Sequence, residues 1–194
     1  MTIAGVIIAG GRSIRMGGEE KAFKKIGSRT ILDRVIARMR PQVDVMAINA
    51  NGDASRFLTA GLTVFSDRLT AIATPLAGIH ASLAWARDNG HDLLLTVPAD
   101  TPFLPRDLAK RLKAPAIAAS GGQEHFIVGA WPTRLADVLE RAIHDNGLVR
   151  VRDWAAFVGA GSVEWLATPY DPFFNVNTPE DLAEAARIAA EFDP

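Results

Sequence analysis

The stretch Gly5-Val6-Ile7-Ile8-Ala9-Gly10-Gly11-Arg12-Ser13-Ile14-Arg15-Met16-Gly17-Gly18-Glu19-Glu20-Lys21 limits what this chain can become more than any other. Its apolar, β-branched opening, Val6-Ile7-Ile8, predicts a strand buried on both faces. The strand breaks into a loop holding four glycines, two arginines and a lysine. Glycine admits positive φ and leaves no Cβ between main-chain N–H groups and a ligand. Successive N–H groups in such a loop form a concave anion site, and Arg15 and Lys21 add full positive charge. The pattern suits a polyanion such as a triphosphate. It is neither G-x-x-x-x-G-K-[ST] nor G-x-G-x-x-G, which excludes two better-known phosphate loops. A surface loop with solvated charges is the plainer alternative. Position weighs against it, because doubly wound sheets hold their ligands at loops that follow strands in this way.

Strand and helix patterns alternate through the rest of the chain. Ser28 or Thr30 is placed to cap a helix whose Ile31, Leu32, Val35, Ile36 and Met39 share one face, and Pro41 ends it. A strand over 43–50 finishes in Asn49-Ala50-Asn51-Gly52. Asp53 then caps a short helix through Phe57 and Leu58, with Gly61 as its stop. A strand over 62–65 leads to Ser66-Asp67, and 70–74 is expected as a loop at the mouth of the site. Pro75-Leu76-Ala77-Gly78 opens a helix that runs to Gly90. Proline suits its first turn, and the small Ala77-Gly78 pair admits close approach of a ligand or of a neighbouring strand. A buried strand over 91–97 ends in Pro98-Ala99-Asp100-Thr101-Pro102-Phe103-Leu104-Pro105. Beyond it come a short helix over 107–112 and strands over 114–120 and 126–131 about a Gly121-Gly122 turn. A helix from Pro132 through Ile143 is broken by Asn146-Gly147. An amphipathic helix over 151–158 is expected to bury Trp154 and Phe157, and a last strand spans 161–166. In Phe173-Phe174-Asn175-Val176-Asn177-Thr178-Pro179-Glu180-Asp181-Leu182, Thr178 and Asp181 have the spacing of a capping box that starts the final helix.

Several polar residues stand at strand ends, where ligands are held. Asp100 is either a helix cap or a Mg²⁺ ligand, since a hard cation takes carboxylate oxygen and phosphates complete its shell. Asn49 is either a turn former or an amide offered to a base or ribose. Asp67 either initiates a turn or offers its carboxylate to the N–H or O–H groups of a ligand. His125 is a strand-end histidine or faces the second substrate. Asn175 and Asn177 bracket one residue, so their amides share a face.

The 194 residues suffice for a sizeable core, and a single domain over 1–194 is the expectation. A net charge of −1 argues against broad binding to nucleic acid or to an anionic membrane, so anion binding has to be local. With no cysteine, disulfides, thiolate catalysis and Cys-based metal sites are excluded. No basic segment precedes the first apolar run, and no apolar run has the length of a bilayer span. A cytoplasmic protein is expected.

Ile8-Ala9-Gly10-Gly11, Arg15-Met16-Gly17-Gly18 and Lys21 resemble the signature of the molybdenum cofactor guanylyltransferases, within the wider nucleotidyltransferase superfamily. Ile8 stands where that family usually has Leu, and Glu20 where it has Asp. P-L-A-G, V-P-A-D-T-P-F-L-P and F-N-V-N-T-P-E-D-L follow in the family's order, so the resemblance runs from Gly5 to Leu182. It implies a three-layer α/β/α Rossmann-like nucleotidyltransferase fold with a mostly parallel sheet. It implies transfer of GMP from GTP to the phosphate of molybdopterin or molybdenum-molybdopterin, with Mg²⁺ as cofactor. By this resemblance GTP is bound by Ile8, Ala9, Gly10, Gly11, Lys21, Asn49, Asp67, Pro75, Leu76, Ala77, Gly78 and Asp100. Catalysis falls to Arg15, Lys21 and Asp100, with the metal on Asp100, and the acceptor lies beside Asn175 and Asn177. Arg150 and Arg152 fall where the family often has arginines near the second substrate, though a solvated helix start fits them as well. The resemblance leaves room for partners among the proteins of molybdenum cofactor biosynthesis and insertion. Two other readings stay open: the cytidylyltransferase of the same cofactor, against which Gly10-Gly11 weighs, and a non-catalytic nucleotide-binding homologue.

Overall fold

The computed structural model describes residues 1–9, 21–69 and 74–193. In chain order the elements are β1 (Ile3–Ile8), the two-residue strands β2 (Lys25–Ile26) and β3 (Arg29–Thr30), α1 (Ile31–Met39), β4 (Val45–Asn49), β5 (Thr63–Phe65), α2 (Pro75–Asp88) and β6 (Leu93–Pro98). There follow α3 (Leu108–Arg111), β7 (Ala116–Ser120), β8 (Gln123–Pro132), α4 (Ala136–Asn146), α5 (Val151–Phe157), β9 (Gly161–Trp165) and α6 (Pro179–Phe192). Strands β2 and β3 pair with each other in an antiparallel hairpin.

The described strands of the main sheet lie in the order β5-β4-β1-β6-β8-β7-β9. β1 pairs in parallel with β4 on one side and β6 on the other, and β4 with β5. β8 alone runs antiparallel, against both β6 and β7, while β9 returns parallel to β7. The chain therefore moves outward from β1 to β5 and then crosses back to β6. That reversal opens a crevice at the carboxyl ends of β1 and β6, the place where open α/β sheets bind ligands.

Alternation along β1 builds the layers. Ala4, Val6 and Ile8 point into one core with Leu76, Ile79 and Leu83 of α2, Leu139 of α4 and Trp154 of α5. Ile7 points into the other with Leu32, Val35 and Met39 of α1 and Leu108 of α3. Sheet between helical layers is the three-layer arrangement the sequence predicts. Helix α6 closes a smaller core through Ala185, Ile188 and Ala189 against Ile26, Ile31, Phe103 and Val176.

Helix starts follow their caps. Thr30 Oγ1 accepts from Asp33 N–H at 3.0 Å, and the Asp33 carboxylate accepts from Thr30 N–H at 3.1 Å, which completes a capping box. Thr178 and Asp181 repeat it at α6, with Pro179 in the first turn. Asp53 caps a 3₁₀ turn over Ala54–Ala60, which Gly61 ends at φ 62°. One packing expectation is corrected. Trp154 is fully buried, but Phe157 is 52 % exposed and only stacks on the outer face of Trp154. It occupies the last position of α5, where the helix turns its face to solvent.

Because the Thr178 hydroxyl satisfies an otherwise unpaired N–H of α6, Thr178→Ala should cost about 1 kcal/mol. A lowered urea midpoint with unchanged m-value checks this.

Candidate active site

The site runs along the carboxyl edge of the sheet. At one end, β4 and β5 terminate in Asn49 and in Ser66-Asp67. Asn49 is fully buried, and its Nδ2 donates to Asp67 Oδ1 at 3.0 Å. Asn51 Nδ2 donates to Asp67 Oδ2 at 2.7 Å, and Asn51 Oδ1 accepts from Asp67 N–H at 2.9 Å. Two amides thus fix both oxygens of one half-buried carboxylate. Each carboxylate oxygen has more than one acceptor position, so Asp67 retains capacity for a further donor pair. Asn51 was not singled out in the sequence, although its place two residues after Asn49 puts it on the same side of the chain.

Asn49 is turned inward and reaches Asp67, so it acts there as a positioning group. Gly78 explains why it fits. A Cβ on Gly78 would lie 2.5 Å from Asn49 Oδ1 and 3.3 Å from Ile8 Cγ2. Within Pro75-Leu76-Ala77-Gly78, Leu76 and Ala77 are fully buried and Pro75 half-buried, in the first turn of α2. The four residues bring helix and strands into close contact beneath the site. Asn49 Oδ1 and Thr74 Oγ1 are buried there and find no hydrogen-bond partner among the described residues.

At the centre, Ile8 and Ala9 finish β1, with Ala9 N–H donating to Asn49 O at 2.8 Å and Ala99 N–H to Ile8 O at 3.2 Å. These bonds join β1 to both neighbours at its carboxyl end. Gly10, Gly11 and Arg15 lie outside the described residues, as do 70–73 of the expected mouth loop. Lys21 re-enters in a 3₁₀ turn over Lys21–Phe23, and its Nζ donates to Asn177 Oδ1 at 2.8 Å across 156 residues of sequence. Asp100 stands just past β6. Burial pushes its carboxyl above the usual value, and the positive charge of Lys21 pulls it part of the way back. Val176 N–H donates to Asp100 O at 3.0 Å, and Thr101 Oγ1 donates to Asn175 Oδ1 at 2.5 Å. Asn175 and Asn177 are exposed on either side of buried Val176, as the spacing predicts, though in an extended segment rather than a strand. Lys21, Asp100, Asn175 and Asn177 therefore converge.

This donor set suits Mg²⁺. The ion takes one or two protein carboxylates and completes its octahedron with water and substrate phosphates. Asp100, deprived of solvent and left only partly compensated by Lys21, is such a carboxylate. Among the described residues no cluster of three or more His, Asp or Glu forms an all-protein cage, and water and phosphate oxygens are the ligands such an ion ordinarily adds.

Beyond Asp100 a cavity of about 250 Å³ opens, walled by Pro98, Thr101, His125, Phe126, Val128, Phe173 and Asn175 among others. His125 lies within β8, not ahead of it, because Gly121 and Gly122 (φ 55° and 77°) turn the chain tightly enough for pairing to begin at Gln123. Arg152 is exposed on α5 and lines a separate open concavity with Gln123, Glu124 and Glu164, while Arg150 precedes α5 at an exposed position. Neither arginine lines the 250 Å³ cavity.

A family model described as MobA-like NTP transferase domain matches residues 5–187. The chain belongs to this family. It is 46% identical to the molybdenum cofactor guanylyltransferase of Nitrobacter hamburgensis, over 96% of this chain and 94% of that one. It is 44% identical to the protein of the same name from a Bradyrhizobium species, over 98% and 95%. Among solved structures, molybdopterin-guanine dinucleotide biosynthesis protein A of Archaeoglobus fulgidus superposes with a TM-score of 0.69 at 20% identity, covering 97% of this chain and all of that one. The 4-diphosphocytidyl-2C-methyl-D-erythritol synthase of Anaerococcus prevotii superposes with a TM-score of 0.74 at 14% identity, covering 98% and 96%. These likenesses show the Rossmann-like nucleotidyltransferase fold of the MobA-like family.

Two outcomes follow from the geometry. Gly78→Ala should displace Asn49 and cost about 1–3 kcal/mol by overpacking, measured as a lowered urea midpoint. Asp100→Asn should raise the melting temperature of the ligand-free protein at pH 7. The folded carboxyl titrates above its ordinary 3.8, so the folded state holds a proton that the unfolded chain has already released. The charge then costs stability above the raised folded value, and that cost vanishes as pH falls below the unfolded one. The gap between variant and wild type should therefore close on acidification. A lower melting temperature for the variant at pH 7 would mean that attraction to Lys21 outweighs burial.

Proposed function

We infer that the chain, as one nucleotidyltransferase domain over 1–194, transfers GMP from GTP to the phosphate of molybdopterin or molybdenum-molybdopterin. The products are pyrophosphate and the guanine dinucleotide form of the cofactor. The observation that carries this reading is the order of groups along one sheet edge. A carboxylate held by two amides comes first, a lysine beside a desolvated carboxylate second, and a partly aromatic cavity third. That order matches base, phosphates and acceptor.

The chemistry asks little of a general base. A phosphomonoester with a second pKa near about 6 is largely dianionic at neutral pH, so one of its oxygens attacks the α-phosphorus directly. The work is to bring two anions together and to stabilise charge on the departing pyrophosphate. Lys21, held by Asn177, would meet the phosphates, with Arg15 and the main chain of Ile8-Ala9-Gly10-Gly11 completing the anion site. Asp100 would hold Mg²⁺, which when bound screens the triphosphate and the leaving group. Asp67 would accept from the guanine N1–H and N2–H₂. Asn49 would fix Asp67, and Pro75-Leu76-Ala77-Gly78 would form the floor beneath them. Asn175 and Asn177 would flank the acceptor. No described helix is long and apolar enough to cross a membrane. A cytoplasmic enzyme, passing its product among proteins of molybdenum cofactor biosynthesis and insertion, completes the proposal.

Calorimetric titration with GTP and with CTP, each with Mg²⁺, tests the base site. Wild type should prefer GTP, and Asp67→Ala should lose the preference. Preference for CTP would move the assignment to a cytidylyltransferase. GTP binding without pyrophosphate release in the presence of molybdopterin would indicate a nucleotide-binding homologue without activity. Lys21→Ala should lose about 2–4 kcal/mol of transition-state stabilisation, by analogy with loss of one preorganised donor. Unchanged turnover would remove Lys21 from the reaction.

A further inference from the structure

The wall of the 250 Å³ cavity carries a hydrogen-bond chain that the reaction outlined above does not use. Ser120, 2 % exposed at the end of β7, has its Oγ 2.7 Å from His125 Nε2 on β8. The same Oγ lies 2.7 Å from Asp171 Oδ1, and that oxygen also accepts from Phe173 N–H at 2.9 Å. The Phe173 ring in turn packs on the imidazole with centroids 4.7 Å apart. Asp171 and Ser120 are 51 residues apart, and His125 joins them from the neighbouring strand.

The protons in this chain can be placed by elimination. A carboxylate accepts and does not donate, so the single hydroxyl proton of Ser120 goes to Asp171. Ser120 Oγ must then accept at its second contact, and the proton between it and the imidazole belongs to Nε2. Burial holds the His125 pKa below its ordinary 6.5, against the opposing charges of Asp171 and Glu164, so at neutral pH the ring carries one proton. Nδ1 is therefore bare. Among the described residues nothing donates to it. A histidine whose tautomer is fixed in this way presents a defined acceptor, where a free imidazole would present either nitrogen.

We propose that His125 is a specificity residue for the acceptor substrate, accepting at Nδ1 a hydrogen bond from an N–H of that substrate's fused heterocycle, with Ser120 and Asp171 as the positioning residues that fix its tautomer. The proposal rests on the acceptor reading given above. The cavity suits such a ring. Phe126, Phe173, Val128 and Pro98 supply apolar walls, and Thr101 and Asn175 connect it to the Asp100 end of the site. A flat heterocycle rich in N–H groups needs walls of this kind and a few fixed acceptors, and its phosphate would extend toward Lys21 and Asp100.

Two substitutions separate the ring nitrogens. The His125→Asn side chain can put a carbonyl oxygen near the place of Nδ1 but does not reach Ser120. His125→Gln reaches Ser120 and leaves no acceptor at Nδ1. The probe is 6-hydroxymethylpterin phosphate, a stable pterin phosphomonoester, titrated calorimetrically beside GTP in wild type and both variants. We expect GTP affinity to stay unchanged throughout. Pterin affinity should fall about tenfold in His125→Gln and stay close to wild type in His125→Asn. Nitrogen-15 spectra of histidine-labelled protein should show His125 protonated at Nε2, and Asp171→Asn should mix the tautomers. Equal pterin affinity in both variants and wild type, equal loss in both variants, or an Nδ1–H tautomer would overturn the inference and leave the proposed reaction standing. Wild-type protein that binds GTP but no pterin phosphate would remove the acceptor reading, and the inference with it.

Discussion

Everything at the site depends on β1 being hydrogen-bonded on both edges. Parallel pairing with β4 and with β6 leaves this strand no free polar groups along its length, and alternating Ala4, Val6, Ile8 and Ile7 commit both of its faces to apolar cores. The strand can be neither shifted by one residue nor solvated without exposing one of those faces. Its end is thereby fixed, and so is the point where the chain leaves the sheet. Since β4 leads outward to β5 while β6 lies on the opposite side of β1, the order of the strands reverses at the carboxyl ends of β1 and β6. Asp67 and Asp100 follow the ends of their strands and lie outside the ladder, while Asn49 is its last rung and holds Asp67 in place.

Much of this was legible in the sequence because it is local. The apolar run Val6-Ile7-Ile8, the caps at Thr30, Asp53 and Thr178, and the stops at Gly61 and Gly147 each act within a few residues, and each forms as expected. Apolar periodicity also identified α1 and α4, and Pro75 and Gly90 marked the ends of α2. What escaped was set by distance along the chain. Nothing near Ser120 announces Asp171, and Asn51 gains its meaning only when β5 brings Asp67 beside it. Phe157 failed for another reason. Periodicity places a residue on a face, but at the last position of a short helix that face has already run past its neighbour.

The site also departs from ordinary packing in the direction that ligand binding requires. A buried amide oxygen on Asn49 has no partner among the described residues, and Asp100 sits where burial disfavours its charge. Each feature costs folding free energy that a purely structural region would not spend. The desolvated carboxylate is an unfavourable place for an anion and, for the same reason, a favourable place for a cation. Lys21 only partly offsets that preference.

The segment Asn175-Val176-Asn177 connects these features across the site. Asn177 accepts from Lys21, Val176 donates to the Asp100 main chain, and Asn175 accepts from Thr101 at the cavity wall. Three consecutive residues thus touch Lys21, Asp100 and the wall of the 250 Å³ cavity in turn. Their own placement is set on one side by burial of Val176 and on the other by Asp181, whose carboxylate accepts from Asn177 N–H and Thr178 N–H at 2.8 Å each. A capping box that reads as purely structural in the sequence therefore also fixes the distance between the lysine and the cavity. In the proposed reaction two anions that repel in solution would meet within that distance, so rigidity at the start of α6 would contribute to bringing them together.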